Sequence, residues 1–426
     1  MRGDVPVRTS VMDGWIRNKH PEISFRTRKD LETYQLNQIQ TLLTFVRKSS
    51  PFYRNLYDGL PLPDTLEAFT RYPVITTEDL LTHGTKMVCV SQREISRVVT
   101  LQTSGTTGSP KRIFFTEADQ ALTLDFFAYG MEEMAGPGDC AAICLPWKTP
   151  GCVGDLLIRG LESNNMHAVG IGWIQDLEKA AHTLETYGCR TAVGSPVQLL
   201  ALLEYSKEHQ IPCAIKTVLT STDALPSSVR KRIQNLGVEV FDHLGMTECG
   251  LGAAMECRAH QGLHIRENDL YVEILDEAGN PVPNGIWGEI TITTLTRKAM
   301  PFLRYRTGDF GRLLPDPCPC KSILQRLEVR GRKIESRYYG KTIAELDDFF
   351  FSFPSIWDYT LEEKEKSWHL HLFLRKPLEE EEQKRLATWA KPGRKPLILS
   401  TEDCHQFLPP YYGKRRIQTW NGKEKK

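Results

Sequence analysis

Apolar residues recur at helical spacing in the first part of the chain, with Leu42, Leu43, Phe45 and Val46 on one side. The spacing predicts a helical entry segment over 34–60, with a break at Pro51. A β-branched run over 95–100 reads as a strand, and it runs into a stretch built almost wholly of Ser, Thr, Gly and Pro. Thr116 with Asp119 then has the form of a capping box opening a helix that contains Leu122, Phe126 and Phe127. Strand-like runs at 141–145, 191–193, 216–220 and 238–241 alternate with helical patterns at 177–187, which stops at Gly188, and 227–235. That βα rhythm predicts a largely parallel, doubly wound sheet. It places 220–223 and 242–248 beyond strand carboxyl ends, where open α/β sheets bind ligands.

After residue 248 the pattern changes to half-buried alternation at 270–275 and 288–294, separated by the turn-forming EAGNPVPNG, which predicts an antiparallel subdomain over 249–332. Beyond it a polar stretch precedes a helical segment at 343–351. The strand at 368–374 carries Trp368, Leu370, Leu372 and Leu374 on one face. The expected fold class is therefore α/β. A large domain over 1–332, with doubly wound sheets and an antiparallel subdomain, is followed by a small α+β lid domain over 333–426, mobile on a hinge.

Composition narrows the function classes. With 54 basic against 53 acidic residues, a net +1, the chain offers no broad electrostatic reason to bind nucleic acid or an acidic membrane surface. The first residues lack a signal-peptide core, and no run reaches the roughly 18 apolar residues of a membrane span, so a cytoplasmic location is expected. The 11 cysteines read as buried or metal-binding thiols before disulfides.

The small-residue loop carries the first chemistry. Thr103, Ser104, Gly105, Thr106, Thr107 and Gly108 can bring N–H groups and hydroxyls around a polyphosphate, and Lys111 can support the loop or a departing pyrophosphate. It is not a Walker A loop, because Pro110 stands where that pattern requires its second Gly. The run 103–111 instead resembles the signature loop of the AMP-forming acyl-adenylate enzymes, which include acyl-CoA synthetases and luciferases. Three further motifs follow in the order that this superfamily uses. His243 to Glu248 is similar to its aromatic-Gly-x-Thr-Glu motif, Tyr305 to Asp309 to its ribose-binding motif, and Pro410 to Lys414 to the segment with its catalytic lysine. Within the superfamily, VRKSSPFYRNLY, YPVITTEDL, GLHIRENDLYVEILD and TTLTRKAMPFLRYRTGD resemble the phenylacetate-CoA ligase group essentially end to end.

The resemblance implies an ATP-dependent ligase that joins an aryl or arylacetic acid to AMP, releases pyrophosphate, and passes the acyl group to coenzyme A. It assigns the 103–111 loop and Lys111 to phosphates, Thr247 and Glu248 to catalysis with Mg²⁺ on Glu248, and Lys414 to the first half-reaction. Thr222, Asp223, Asp242, His243, Leu244, Asp309 and Arg332 go to the nucleoside, and Trp147, Gly194, Ser195 and Pro196 to the acid. Glu248 suits Mg²⁺ as a hard oxygen donor, and Asp309 can accept from two ribose hydroxyls at once. Three departures stand out: Leu244 replaces an adenine-stacking aromatic, Ser221-Thr222-Asp223 replaces a Gly-Ala-Glu type loop, and the hinge reads Gly331 to Glu335 without its usual paired aspartates.

Cys257, His264, Cys318 and Cys320 form the donor set of a closed structural zinc site, whereas His369 with His371 and Glu379 to Glu382 read more simply as solvated polar faces. Expected partners are a small carboxylic acid, ATP and CoA, with no nucleic acid and no membrane, and a homodimer is left open. Two alternatives also stay open: an acceptor other than CoA, either a carrier-protein thiol or a cofactor hydroxyl, and a nucleotide-binding homologue impaired in catalysis.

Overall fold

The computed structural model describes residues 10–21, 23, 25–101, 110–332, 337–389, 395–410 and 417–419. Contacts group these residues into two compact units, one formed by 1–133, 159–164 and 243–333, the other by 134–158, 165–242 and 334–426.

In the first unit the long helix Arg28–Ser49 begins at a capping box between Thr27 and Asp30, an interaction worth about 1 kcal/mol. It ends at Ser50, which caps the next helix, Pro51–Leu56. The predicted break at Pro51 is therefore a junction, with proline at the first helical position where its missing N–H costs nothing. Ile39, Leu42, Leu43 and Val46 are buried in a core shared with Ile290, Ile292 and Phe302. The antiparallel strands Leu270–Leu275, Gly288–Thr294, Tyr305–Leu313 and Arg326–Arg332 pair in sequence order. Arg326–Arg332 also pairs with Leu263–Ile265, which pairs with Ala254–Glu256.

One local expectation is corrected. The helix opens at the Thr116–Asp119 capping box as expected, but a strand not read from the sequence lies between it and the loop, and Lys111 is its first residue. This strand, Lys111–Phe115, is antiparallel to Arg97–Leu101, with Leu101 opposite Lys111. The order is strand, loop, strand, then the helix Glu117–Met131, because Ile113 and Phe115 alternate inward as a half-buried strand requires. The loop thus closes a hairpin, and its residues 102–109 lie outside those described.

In the second unit the strands run parallel in the order His167–Gly170, Cys140–Cys144, Thr191–Gly194, Thr217–Thr220, Glu239–Leu244, the last passing from this unit into the first at residue 243. Helices Leu177–Tyr187 and Ser227–Asn235 lie where the sequence places them, and Gly188 ends the first with φ 58° in the left-handed conformation that favours glycine. The helix Pro196–Glu208 was not anticipated: it is apolar nearly all round and buried, so it lacks the amphipathic period by which helices are recognised.

The described residues of 337–410 share a core with helices that precede them in the chain. Leu370, Leu372, Phe350 and Trp357 belong to one buried cluster with Leu177, Leu199, Leu203 and Ile233. Arg232 Nη1 donates to the carbonyl of Phe351 at 3.0 Å, Arg375 bridges Glu204 at 2.7 Å, and the Leu408 amide donates to the Gln175 carbonyl at 2.9 Å. The four-stranded sheet here has Trp368–Leu374 antiparallel to Ile356–Glu363 and parallel to Leu397–Asp403, with Trp368, Leu370, Leu372 and Leu374 all buried. Glu382, read as solvated, is buried because its carboxylate accepts from the Ser355 amide at 3.1 Å and the Glu379 amide at 2.9 Å. Among the described residues, no helix is long and apolar enough to cross a membrane.

Candidate active site

The parallel strands end in the residues that the sequence singled out. Cys140–Cys144 leads to Trp147, Thr191–Gly194 to Ser195 and Pro196, Thr217–Thr220 to Thr222 and Asp223, and Glu239–Leu244 contains Asp242, His243 and Leu244. Trp147 lies on the backbone of Gly170: a Cβ there would come within 2.4 Å of the indole carbons, so only glycine fits. Thr220 Oγ1 donates to Asp242 Oδ1 at 2.9 Å, which fixes that carboxylate against the neighbouring strand. Thr222 stands at φ 76°, unusual for a β-branched residue, and its hydroxyl donates to the Ser221 carbonyl at 2.5 Å.

In the first unit, Lys111, Glu248 and Tyr305 meet. Lys111 Nζ lies 3.3 Å from Glu248 Oε1 and 3.2 Å from the Tyr305 hydroxyl, which itself donates to Glu248 Oε1 at 3.3 Å. Tyr305 is placed by Arg304, a buried guanidinium paired with Glu273 at 3.0 Å, whose carbonyl receives the Ile75 amide. Burial, with Glu248 next, raises the Tyr305 phenol above its ordinary value, so it stays a donor. Thr247 and Glu248 sit on a short 3₁₀ turn, Thr247–Cys249, fastened from behind by Arg297. Arg297 Nη1 donates to the carbonyls of Glu248 at 2.7 Å and Thr247 at 3.3 Å, and Nη2 to that of Phe114 at 3.0 Å. Desolvation draws the Arg297 guanidinium down to about 10, still charged at neutral pH.

Asp309 and Arg332 also meet, with Arg332 Nε 3.1 Å from Asp309 Oδ1 and Nη1 donating to the Thr307 carbonyl at 2.8 Å. Gly308 turns between them at φ 77°, and a Cβ there would lie 3.1 Å from Arg332 Nη1. Thr103, Ser104, Gly105, Thr106, Thr107, Gly108 and Lys414 lie outside the described residues.

Sequence reasoning missed Tyr305, Arg297 and the second role of Asp119. Asp119 was read only as a helix cap, yet its carboxylate also accepts the amides of Lys298 at 2.8 Å and Ala299 at 2.9 Å. The signal for Arg297 was a basic residue in a predicted subdomain core; only its long-range partners reveal its task.

Cys257, His264, Cys318 and Cys320 converge, with one donor atom from each all within 4.8 Å of one another and every residue buried. Cys257 Sγ lies 3.7 Å from Cys318 Sγ, and Cys320 Sγ 3.3 Å from His264 Nε2. Hydrogen bonding from Cys257, with His264 behind it, holds the Cys320 thiol well below the ordinary range. The donor set fits a tetrahedral metal ion. Neither His369 nor His371 joins a metal-ligand group among the described residues; His371 instead meets Ser400 and Glu402.

Residues 90–296 match the family model described as AMP-binding enzyme. Over that stretch the chain is similar to the AMP-binding enzymes. Phenylacetate-coenzyme A ligases are its relatives. That of Thermus thermophilus is 27% identical over 314 residues, covering 70% of this chain and 69% of the relative. That of Pseudomonas putida is 29% identical over 303 residues, covering 67% of each. Among solved structures, 2-hydroxyisobutyryl-CoA ligase in its postadenylation state, in complex with 2-HIB-AMP, superposes with a TM-score of 0.77 at 20% identity, covering 94% of this chain and 92% of that one. Anthranilate CoA ligase with anthranoyl-AMP gives a TM-score of 0.56 at 14% identity, over 97% and 96%. These structural likenesses show the fold, a mixed α/β architecture shared with both ligases.

Proposed function

We propose that the protein activates a carboxylic acid with ATP and Mg²⁺, giving acyl-AMP and pyrophosphate, and then transfers the acyl group to the thiol of coenzyme A. The observation that carries this reading is the meeting of Lys111 and Glu248, far apart in sequence, at 3.3 Å behind one hydroxyl. A cation and a hard carboxylate donor side by side are what a polyphosphate with its metal requires. The phenylacetate-coenzyme A ligase relatives support an aryl or arylacetic acid and CoA as acceptor.

In this reading Glu248 holds Mg²⁺, which supplies a Lewis acid for phosphate oxygens. Lys111 moves onto the phosphates and offsets their charge as the acid carboxylate approaches. Asp309 accepts the ribose hydroxyls with Arg332 beside it, and Thr222, Asp223, Asp242, His243 and Leu244 border the base. Leu244 offers an aliphatic face to the purine in place of a stacked ring. Trp147 and the 194–196 turn border the acid. Lys414 serves the first half-reaction, and the 103–108 loop cradles phosphates. The Cys257, His264, Cys318 and Cys320 cluster holds a structural Zn²⁺ that ties two loops of the antiparallel region together.

Incubation with ATP, Mg²⁺ and a panel of aryl and aliphatic acids, with and without CoA, tests the proposal. Acid-dependent pyrophosphate release followed by CoA-dependent thioester is expected, with aryl acids preferred. Acyl-AMP that accumulates unchanged in the presence of CoA overturns the choice of acceptor.

A further inference from the structure

We infer that the Lys111–Glu248 ion pair is the resting occupant of the metal site, and that Tyr305 is the positioning residue that keeps Glu248 in place when Lys111 leaves it. The inference rests on the proposed role of Glu248 and deepens it.

The three groups form a closed triangle with sides of 3.2 to 3.3 Å. A phenol has one proton and two lone pairs. Tyr305 gives its proton to Glu248 and accepts from Lys111, and Thr77 Oγ1 stands 3.1 Å away as a further partner. The hydroxyl is thus held by three side chains of the protein. Tyr305 itself is 1% exposed and Glu248 8%, while the ammonium of Lys111 ends a flexible four-carbon stem. Arg297 fixes the Glu248 main chain through its carbonyl, so the carboxylate has little freedom except the choice of cation it faces.

A carboxylate in a partly buried site cannot accept two cations at full strength. An opposite charge within hydrogen-bonding distance shifts such an equilibrium by roughly 1 to 3 powers of ten. Lys111 therefore competes with a divalent ion at Glu248 until a polyphosphate draws the ammonium away. Metal and nucleotide should then enter together, with metal alone held weakly. The structure supplies the two features this exchange needs: a carboxylate already neutralised without metal, and a neutral donor that stays on it afterwards.

Binding of Mn²⁺ alone, followed by the paramagnetic signal of the free ion in the absence of nucleotide, tests this on the full chain. Lys111→Met should bind Mn²⁺ on the order of tenfold tighter than the parent, although it loses adenylation. Tyr305→Phe should bind it about tenfold more weakly and raise the Mg²⁺ needed for half-maximal pyrophosphate release, with the KM for ATP at saturating Mg²⁺ nearly unchanged. A lesion that merely loosened the fold would not tighten metal binding in one variant. The inference is overturned if Glu248→Gln abolishes Mn²⁺ binding yet Lys111→Met leaves it unchanged or weaker. If Glu248→Gln binds Mn²⁺ as the parent does, the role of Glu248 itself falls and takes the inference with it.

Discussion

Replacing Arg297 with methionine probes the link between the buried scaffold and the site. Methionine keeps most of the aliphatic stem, but it has no donor. The carbonyls of Thr247, Glu248 and Phe114 lose their guanidinium partner, and the stacking of that group 4.1 Å from the Phe115 ring centroid is lost as well. A buried carbonyl left without a donor costs roughly 1–3 kcal/mol. Two effects offset the sum: the desolvation cost of the buried cation disappears, and water can enter the small cavity that Arg297 lines together with Asp119, Thr123 and Phe115. We expect a net loss of about 3 kcal/mol, which lowers Tm by roughly 6–12 °C for a unit of this size. Because two of the lost bonds hold the turn that carries Glu248, the Mg²⁺ requirement should rise as well. Calorimetry and the Mg²⁺ dependence of pyrophosphate release measure the two effects. Arg297→Lys, which keeps the charge without the fork, should fall between. A Tm within about 1 °C of the parent, with an unchanged Mg²⁺ requirement, would refute the reasoning.

Three further outcomes are expected. Arg304→Met leaves Glu273 buried without its partner and should cost about 3–5 kcal/mol in denaturant unfolding. Burial already raises the Glu273 carboxyl above its ordinary value, and losing Arg304 raises it further; the folded variant then holds a proton the unfolded chain has released, so its stability should fall as pH rises above the ordinary glutamate range. Purified protein should carry about one zinc per chain, and chelation or Cys318→Ser should remove it and lower Tm; full stability in metal-free protein would dismiss the site. Gly170→Ala forces the Trp147 ring aside and should shift its fluorescence and raise the KM for the acid about tenfold, with the KM for ATP little changed, whereas no change in either acid affinity or emission would remove Trp147 from the pocket.

Much of this was legible in the sequence, and the failures have physical causes. Period and caps identified the helices Leu177–Tyr187 and Ser227–Asn235, and alternation identified Leu270–Leu275 and Trp368–Leu374. The helix Pro196–Glu208 escaped because it is buried on almost every side, which erases the polar face that marks a period. The hairpin strand Lys111–Phe115 went unassigned because five residues are too few to establish a period. Glu248 and Lys111 could be named from motif chemistry. Tyr305, Arg297 and Asp119 could not, since their roles are contacts across 49 to 194 residues and leave no local signature. Likewise, the shared core of residues 337–410 with the helices before them depends on Arg232, Glu204 and Arg375, each of which reads as an ordinary surface charge until its partner is known.

The account rests on Glu248 and Lys111 serving one nucleotide–metal site, and exchange of radiolabelled pyrophosphate into ATP tests that most directly. With an aryl acid and Mg²⁺ the parent should exchange label only when acid is present, and Glu248→Gln should lose at least about a hundredfold in rate at fixed Mg²⁺. Acid-dependent exchange that survives unchanged in Glu248→Gln would contradict the claim.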